Sequence, residues 1–226
     1  MFLGLMRVRV PATRDMVEVS LAEQVKTTAR LPDRLGKLPP KPEGMEDILD
    51  DVVVSIDPHQ SLRAMGDLAR GFGIVLDHVG FEVIHNATDV SILTSDNPVV
   101  CFDPTVQEAR VLPYQVRPRG AIELLFPIDA DTVLRGRTGL RRPGPPHLRH
   151  VTLSDRQEAK RINRFVARFG YRFVFSRDRS HEALIVKHAG TSPVMKAVAV
   201  PGPTGVFVRG ECVFGPRPTK PKWRDC

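Results

Sequence analysis

The stretch GFEVIHNATDVSILTSDNPVVCF, residues 80–102, decides the fold class because the pattern of apolar residues changes here from helical to extended. Before it, apolar residues recur every three or four positions, as on one face of a helix. Within it and beyond, short apolar and β-branched runs alternate with polar turns. Helices and strands are thus segregated along the chain. We predict an α+β fold in which N-terminal helices pack on a largely antiparallel sheet.

Three helical regions are predicted before this stretch. Residues 14–30 and 58–76 each carry one continuous apolar face, and residues 45–55 form a shorter helical region. Between the regions at 14–30 and 45–55, four prolines and two glycines occur at residues 31–44, and this density interrupts regular structure. We predict a Pro-rich linker there.

A late helix is predicted among the strands. Ser154 and Gln157 have the spacing of a capping box, and Gly170 is a typical helix stop. The apolar residues between them recur at helical spacing. We therefore predict one helix at about residues 155–169.

The remaining elements after residue 80 are predicted to be short strands. The stretch between residues 135 and 150 is rich in glycine and proline and is predicted to be a loop. We predict a single domain over residues 1–215, followed by a flexible basic tail over 216–226. The predicted strands are 81–85, 90–93, 99–102, 122–126, 132–135, 171–175, 183–186, 194–200, 206–209 and 212–214.

The composition is that of a globular protein, with 42% hydrophobic and 26% charged residues. The N-terminal residues lack the layout of a signal peptide, and no stretch approaches the roughly 20 apolar residues that span a bilayer. We expect a cytoplasmic protein that does not engage a membrane. The three cysteines are widely separated and match neither a disulfide framework nor a zinc motif.

The formal net charge of +7 is unevenly distributed. Residues 1–113 carry 11 Lys and Arg against 17 Asp and Glu, whereas residues 114–226 carry 22 against 9. Such a basic half attracts nucleic acid or another polyanion as a partner. The alternative is that its charges pair with the acidic half of the same chain.

The turn Thr94-Ser95-Asp96-Asn97-Pro98 is the best-marked local motif. Its short polar side chains can bond to nearby backbone, which makes a structural turn one interpretation. The functional interpretation is that Asp96 is a catalytic acid or base, that Ser95 and Asn97 bind substrate, and that His85 assists.

The late helix has a basic face opposite its apolar one, because Arg161, Arg164 and Arg168 fall on the same side. This face is either solvated or binds an anionic substrate. No metal site is predicted, since His181, Glu182 and His188 lack the spacing of a zinc helix. Nucleotide-cofactor motifs are also missing, and the sequence assigns no cofactor.

The chain resembles the family DUF4238, a bacterial domain of unknown function. The resemblance lies in the turn Thr94 to Val99, in Phe126-Pro127-Ile128 and in Ile162-Asn163 followed by residues 172–175. It implies no established activity, and it marks Asp96, Asn97, Pro98 and Asn163 as positions of interest. Members typically open with a His-Tyr-x-Pro segment that this chain does not show, so we expect the copy to be truncated at its N-terminus.

Two functional hypotheses follow. The first is an intracellular hydrolase-type enzyme acting on a phosphate-containing or nucleic-acid substrate. In it Asp96 is the acid–base group, the arginines of the late helix bind the anion, and Asn163 is a nearby substrate-binding residue. The alternative is a non-catalytic module that binds nucleic acid or an acidic partner through the basic half of the chain.

Overall fold

A computed structural model describes most of the chain: residues 2–41, 43–45, 48, 51–117, 120–144, 148–188, 190–202 and 205–219. Its α-helices are α1 (Phe2–Val8), α2 (Pro11–Arg34), α3 (Pro58–Asp77), α4 (Arg156–Phe169) and α5 (Glu182–His188). Its strands are β1 (Gly80–Asn86), β2 (Thr94–Ser95), β3 (Val100–Phe102), β4 (Glu123–Pro127), β5 (Thr132–Arg137), β6 (Leu148–Leu153), β7 (Val174–Phe175), β8 (Ser192–Gly202) and β9 (Gly205–Gly215).

Five strands form the main sheet, in the order β3-β4-β5-β1-β6. The β3–β4, β4–β5 and β5–β1 pairs are antiparallel, and only β1 and β6 run parallel. The predicted α+β class with a largely antiparallel sheet is confirmed. The two short strands β2 and β7 pair with each other beside this sheet.

Residues of one strand point alternately to the two sides of a sheet, so the main sheet has apolar side chains on both faces. Helices cover both of them. On one face Leu3 of α1 packs with Leu124 of β4, and Phe72 of α3 joins this cluster. On the other face Ile162 and Phe165 of α4 pack into the largest core cluster. The sheet thus lies between N-terminal helices and the late helix.

The late helix begins and ends where the sequence indicates. The carboxylate of Asp155 accepts a hydrogen bond from the backbone N–H of Gln157 at 2.8 Å, and Gly170 follows the last helical residue. Asp155, rather than Ser154, is the capping residue. The predicted helix at about 155–169 is confirmed.

The last two strands, β8 and β9, form a hairpin that packs against α2. The two strands predicted at 206–209 and 212–214 are parts of the single strand β9, which continues through Gly210 and Glu211. Val198, Val200 and Phe207 are exposed on the hairpin.

Several predicted boundaries differ from the structure. The strand predicted at 183–186 is wrong, because this segment forms helix α5. Residues 51–56 are not helical, in keeping with three consecutive valines, whose branched side chains lower helix propensity, and residues 46, 47, 49 and 50 of the predicted helical region lie outside the described residues. Residues 90–93 are irregular, and β6 begins inside the predicted 135–150 loop.

The predicted Pro-rich linker begins later than expected. Helix α2 continues to Arg34, with Pro32 inside its last turn. Proline removes a single N–H donor there, and the following N–H groups of Leu35 and Lys37 bond to the carbonyls of Leu31 and Pro32. Of the predicted tail, residues 220–226 lie outside the described part of the chain.

Candidate functional site

The predicted turn residues Ser95 and Asp96 bind backbone groups. The hydroxyl of Ser95 accepts from the backbone N–H of Asn97 at 3.2 Å. The two carboxylate oxygens of Asp96 accept from the backbone N–H groups of Tyr171 and Arg172, at 2.8 and 2.9 Å. Asp96 therefore fastens its turn to the segment that follows α4.

Asn97 makes the second connection, to the end of α4 itself. Its side chain is inaccessible to solvent, and its amide donates to the carbonyl oxygen of Phe169 at 2.9 Å and to the hydroxyl of Tyr114. Phe169 is the last residue of α4. Asn97 thus satisfies a carbonyl at the end of the helix, where intrahelical partners run out.

Asn163 makes the third connection, from the middle of α4. Its side-chain oxygen accepts from the backbone N–H of Leu93 at 2.9 Å, and its amide donates to the carbonyl of Ser91 at 2.8 Å. Asn163 is fully buried. We call the four residues Ser95, Asp96, Asn97 and Asn163 the helix clamp. The last three tie the 91–97 segment to α4 and the residues after it, and Ser95 supports the turn that carries two of them.

The structure brings Ser95, Asp96 and Asn97 together with Asn163, but His85 lies elsewhere. Nε2 of His85 is 2.8 Å from Nδ1 of His150, on a neighbouring strand of the main sheet. Among the described hydrogen bonds, those of Asp96 go to main-chain N–H groups. Proton transfer by Asp96 would require it to release those groups.

Arg161 on the basic face of α4 points into a buried ion-pair network. Its guanidinium donates to both carboxylate oxygens of Glu123, at 3.2 and 3.0 Å, and also to Glu158. Glu123 is inaccessible to solvent and additionally contacts Arg137 at 3.1 Å. Burial acts to raise the pKa of Glu123, but Arg161 and Arg137 outweigh it and hold that pKa below its ordinary value.

The network continues through Glu158 to a second buried glutamate. Arg135 lies 3.2 Å from Glu158 and 2.5 Å from Glu82, which is 1% exposed. Arg149 of the edge strand lies 3.1 Å from the other oxygen of Glu82. A chain of alternating acidic and basic groups thus runs along the sheet face under α4, beside the apolar core.

The other two predicted anion-binding arginines are also engaged. Arg164 binds Glu108 through two hydrogen bonds of 2.7 and 3.0 Å, and this pairing lowers the pKa of Glu108. Arg168 donates to the backbone carbonyls of Glu108 and Val111. These contacts hold the 108–111 segment against α4. The ion pair of Arg164 with Glu108 agrees with the alternative in which charges of the basic half pair with the acidic half of the chain.

A cavity of about 720 Å³ lies on the opposite side of the sheet, between α1, the end of α3 and the start of β1 and β6. Leu3, Phe81, Leu134 and Leu148 are among its apolar lining residues. Its volume is in the range of small-molecule sites, roughly 300–1,000 Å³.

Charged groups stand at the border of this cavity. Arg141, Arg142 and Arg149 line it, together with Asp77 at the end of α3. Arg141 and Arg142 are exposed, and neither forms an ion pair with a carboxylate among the described residues. Sequence reasoning did not select these two arginines, although the run of basic residues within the predicted 135–150 loop was a signal for them.

Gly80 holds the cavity wall in place. A Cβ atom at this position would lie 2.1 Å from the carbonyl oxygen of Leu140, so β1 can approach the 138–140 turn only without a side chain. We expect Gly80→Ala to displace this turn and to lower the free energy of unfolding by about 1–3 kcal/mol, measured by urea denaturation.

Gly139→Ala is the matched control for this substitution, because a Cβ atom there meets nothing within 4 Å. It should change stability by no more than about 0.5 kcal/mol. Equal stability of the two variants would show that the wall does not depend on the close approach at Gly80.

The described helices and the described metal-ligating side chains bear on membrane insertion and metal binding. None of the helices in the described part of the chain has the length and apolarity that a membrane span needs. Across the same described ranges, no group of three or more His, Cys, Asp or Glu side chains is arranged to hold a metal ion.

The fold and the clamp together define a class: an α+β protein in which a Ser-Asp-Asn-Pro turn fastens a late helix across a largely antiparallel sheet. The chain belongs to the family DUF4238, whose description is protein of unknown function and whose model matches residues 1–180 of the 226. No curated protein and no solved structure matches the chain. The matched range contains the helix clamp and the cavity and ends before the β8–β9 hairpin.

Proposed function

We propose that this protein binds a phosphate-bearing small molecule with an apolar body in the cavity between α1, α3 and the main sheet. The observation that carries the proposal is the pair of exposed arginines, Arg141 and Arg142, beside an apolar cavity of about 720 Å³. Guanidinium groups match the geometry of phosphate oxygens and bind them through charge-assisted hydrogen bonds.

The distribution of ion pairs supports this choice of surface. Arg161 and Arg164 are held by Glu123 and Glu108, so a phosphate at α4 would have to displace carboxylates that are already well placed. Among the described residues, Arg141 and Arg142 have no such competitor. A second cavity, of about 610 Å³ between α2 and α3, has no charged residue in its described lining and fits an anion less well.

The same proposal assigns the helix clamp a structural role. Asp96 and Asn163 use their polar atoms on backbone groups of neighbouring segments, as described above.

Binding of nucleic acid through the basic half is a separate proposal and would use exposed basic groups rather than the paired arginines of α4. We further propose a cytoplasmic location, which suits the free thiols of Cys101 and Cys212.

Binding of octyl phosphate to the full chain tests the proposal, with displacement of the fluorescent anion anilinonaphthalene sulfonate as readout. We expect octyl phosphate to displace the dye and octanol to fail, since only the former has a phosphate for the arginines. The double variant Arg141→Gln/Arg142→Gln should weaken octyl phosphate binding about tenfold, a loss of about 1.4 kcal/mol.

A control variant removes the same amount of charge elsewhere. Arg63→Gln/Arg209→Gln changes two exposed arginines on α3 and β9 and should leave the affinity within twofold. Displacement by octanol as strong as by octyl phosphate would contradict the role of the arginines. Salt-sensitive binding of duplex DNA without binding of octyl phosphate would support the nucleic-acid alternative.

A further inference from the structure

His85 and His150 form a hydrogen-bonded pair of imidazole rings on the exposed surface of the main sheet. Nε2 of His85 and Nδ1 of His150 are 2.8 Å apart, the ring centres are 5.1 Å apart and the ring planes differ by 12°. The distance between ring centres matches the nitrogen–nitrogen distance plus the radius of each ring. The rings therefore lie end to end in nearly one plane, which is the arrangement of an N–H···N hydrogen bond.

Strand pairing fixes this arrangement. His150 of β6 lies opposite Val83 of β1, and His85 lies opposite Thr152, so the two histidines are diagonal neighbours on one face of a parallel pair. The second nitrogen of each ring, Nδ1 of His85 and Nε2 of His150, has no hydrogen-bond partner among the described residues. In the neutral pair one ring donates to the other, so one of these two outer nitrogens carries a hydrogen and the other is a bare acceptor.

The pair lies next to the proposed binding cavity. Leu148 lines that cavity and faces Phe81, and His150 follows two residues farther along β6 on the same face. Side chains two residues apart on a strand are about 7 Å from each other. A molecule whose apolar part fills the cavity can reach His150 with a group at its exposed end.

We propose that His85 and His150 are a catalytic acid–base pair that hydrolyses a phosphomonoester bound in this cavity. The inference rests on the proposed function. Arg141 and Arg142, which have no carboxylate partner in the described part of the chain, match the two negative charges of a phosphomonoester at neutral pH. Imidazole is the side chain best suited to move a proton there.

The reaction needs no reagent other than water. As water attacks phosphorus, its oxygen forms a bond to phosphorus and one of its protons passes to Nε2 of His150, which is bare when Nδ1–H of His150 donates to Nε2 of His85. The bond between phosphorus and the ester oxygen breaks with its electron pair on that oxygen. The histidine pair then returns the proton to this oxygen, which leaves as an alcohol, and inorganic phosphate is the second product. Arg141 and Arg142 hold the phosphate oxygens during the transfer.

Hydrolysis of methylumbelliferyl phosphate by the full chain tests this inference, with release of the fluorescent alcohol as readout. His150→Gln and His85→Gln should each lower kcat by about 100-fold or more, because general acid–base catalysis contributes about that much. Both histidines are exposed, so the variants should keep their thermal stability. Binding of octyl phosphate should stay within twofold of the unsubstituted protein. His59→Gln, which removes an exposed histidine on the first turn of α3, should leave kcat unchanged.

The outcomes separate the two proposals. Binding of octyl phosphate without release of methylumbelliferone would overturn the hydrolysis and leave the binding function standing. Release that persists in both histidine variants would overturn the assignment to this pair. Failure of octyl phosphate to bind would overturn the proposed function and this inference with it.

Nuclear magnetic resonance of protein with nitrogen-labelled histidine should show coupling between the two rings across their hydrogen bond. Absence of this coupling would overturn the geometry on which the pair rests.

Discussion

Arg161→Met should lower the free energy of unfolding by about 3–5 kcal/mol, measured by urea denaturation at pH 7. The physical reason is Glu123, whose side chain is inaccessible to solvent and accepts two hydrogen bonds from Arg161. After the substitution Arg137, which is 40% exposed, is the remaining ion-pair partner of Glu123 among the described residues. A buried carboxylate with one exposed partner is poorly compensated for the loss of its hydration.

Arg164→Met is the matched control for this prediction. It removes the same charge from the same helix, but Arg164 and Glu108 are 37% and 39% exposed. Water can solvate Glu108 once its partner is gone, so the loss should be about 1 kcal/mol or less. Similar losses for the two variants would show that burial of Glu123 does not govern the strength of the network, and would leave Arg161 free to act as an anion clamp.

The effect of Arg161→Met should also depend on pH. The pKa of Glu123 is held below its ordinary value of 4.5 in the folded protein, so its ionisation stabilises the fold above that pH. This stabilisation is lost as the pH falls through the lowered pKa, because protonated Glu123 no longer needs a cationic partner. The stability difference between Arg161→Met and the unsubstituted protein should therefore shrink when both are measured at pH 3. A difference that stays constant between pH 7 and pH 3 would contradict the ion-pair explanation.

Asn163→Leu should lower the free energy of unfolding by about 4 kcal/mol, because it breaks one buried and one partly buried hydrogen bond while keeping the number of side-chain heavy atoms. The backbone N–H of Leu93 and the carbonyl of Ser91 both lose their partner on α4. Leaving a buried polar group unsatisfied costs about 1–3 kcal/mol for each group. Urea denaturation measures the loss.

Gln115→Leu provides the comparison for Asn163→Leu. It makes a similar exchange of an amide for an apolar side chain at an exposed position, and it should change stability by about 0.5 kcal/mol or less. A cost below about 1 kcal/mol for Asn163→Leu would mean that the helix clamp does not hold α4 in place. Asn163→Asp adds a second check, since it keeps an acceptor for Leu93 but turns a negative charge toward the carbonyl of Ser91.

The helix clamp gives the most recognisable motif of the chain a physical explanation. Asp96, Asn97 and Asn163 bond to main-chain groups that α4 and its neighbours would otherwise leave without partners. In this chain the motif therefore supports the fold. In our proposals the chemistry lies on the other side of the sheet, at the cavity and the histidine pair.

The sequence by itself determined the elements whose cause is local. A capping signal just before residue 156 and the stop at Gly170 indicated the limits of α4, although the cap is Asp155 and not Ser154. Alternation indicated β1, β4 and β8, because neighbouring residues alone produce these signals. The same local patterns were insufficient at 183–186, where a run of apolar residues fits a short helix as well as a strand. They were also insufficient at β6, where the glycines and prolines before it obscured an edge strand.

Tertiary structure alone decided which distant residues meet. His85 and His150 are 65 positions apart, and they come together because β6 pairs with β1 in parallel register. Arg161 is separated from Glu123 by 38 positions, and the packing of α4 over the sheet turns an apparently solvated basic face into a buried ion-pair network. Sequence patterns report the preferences of neighbouring residues, whereas strand order and helix packing depend on the free energy of burying the whole core. For this reason the sequence could identify Arg161, Asp96 and His85 as polar groups of interest, but not their partners.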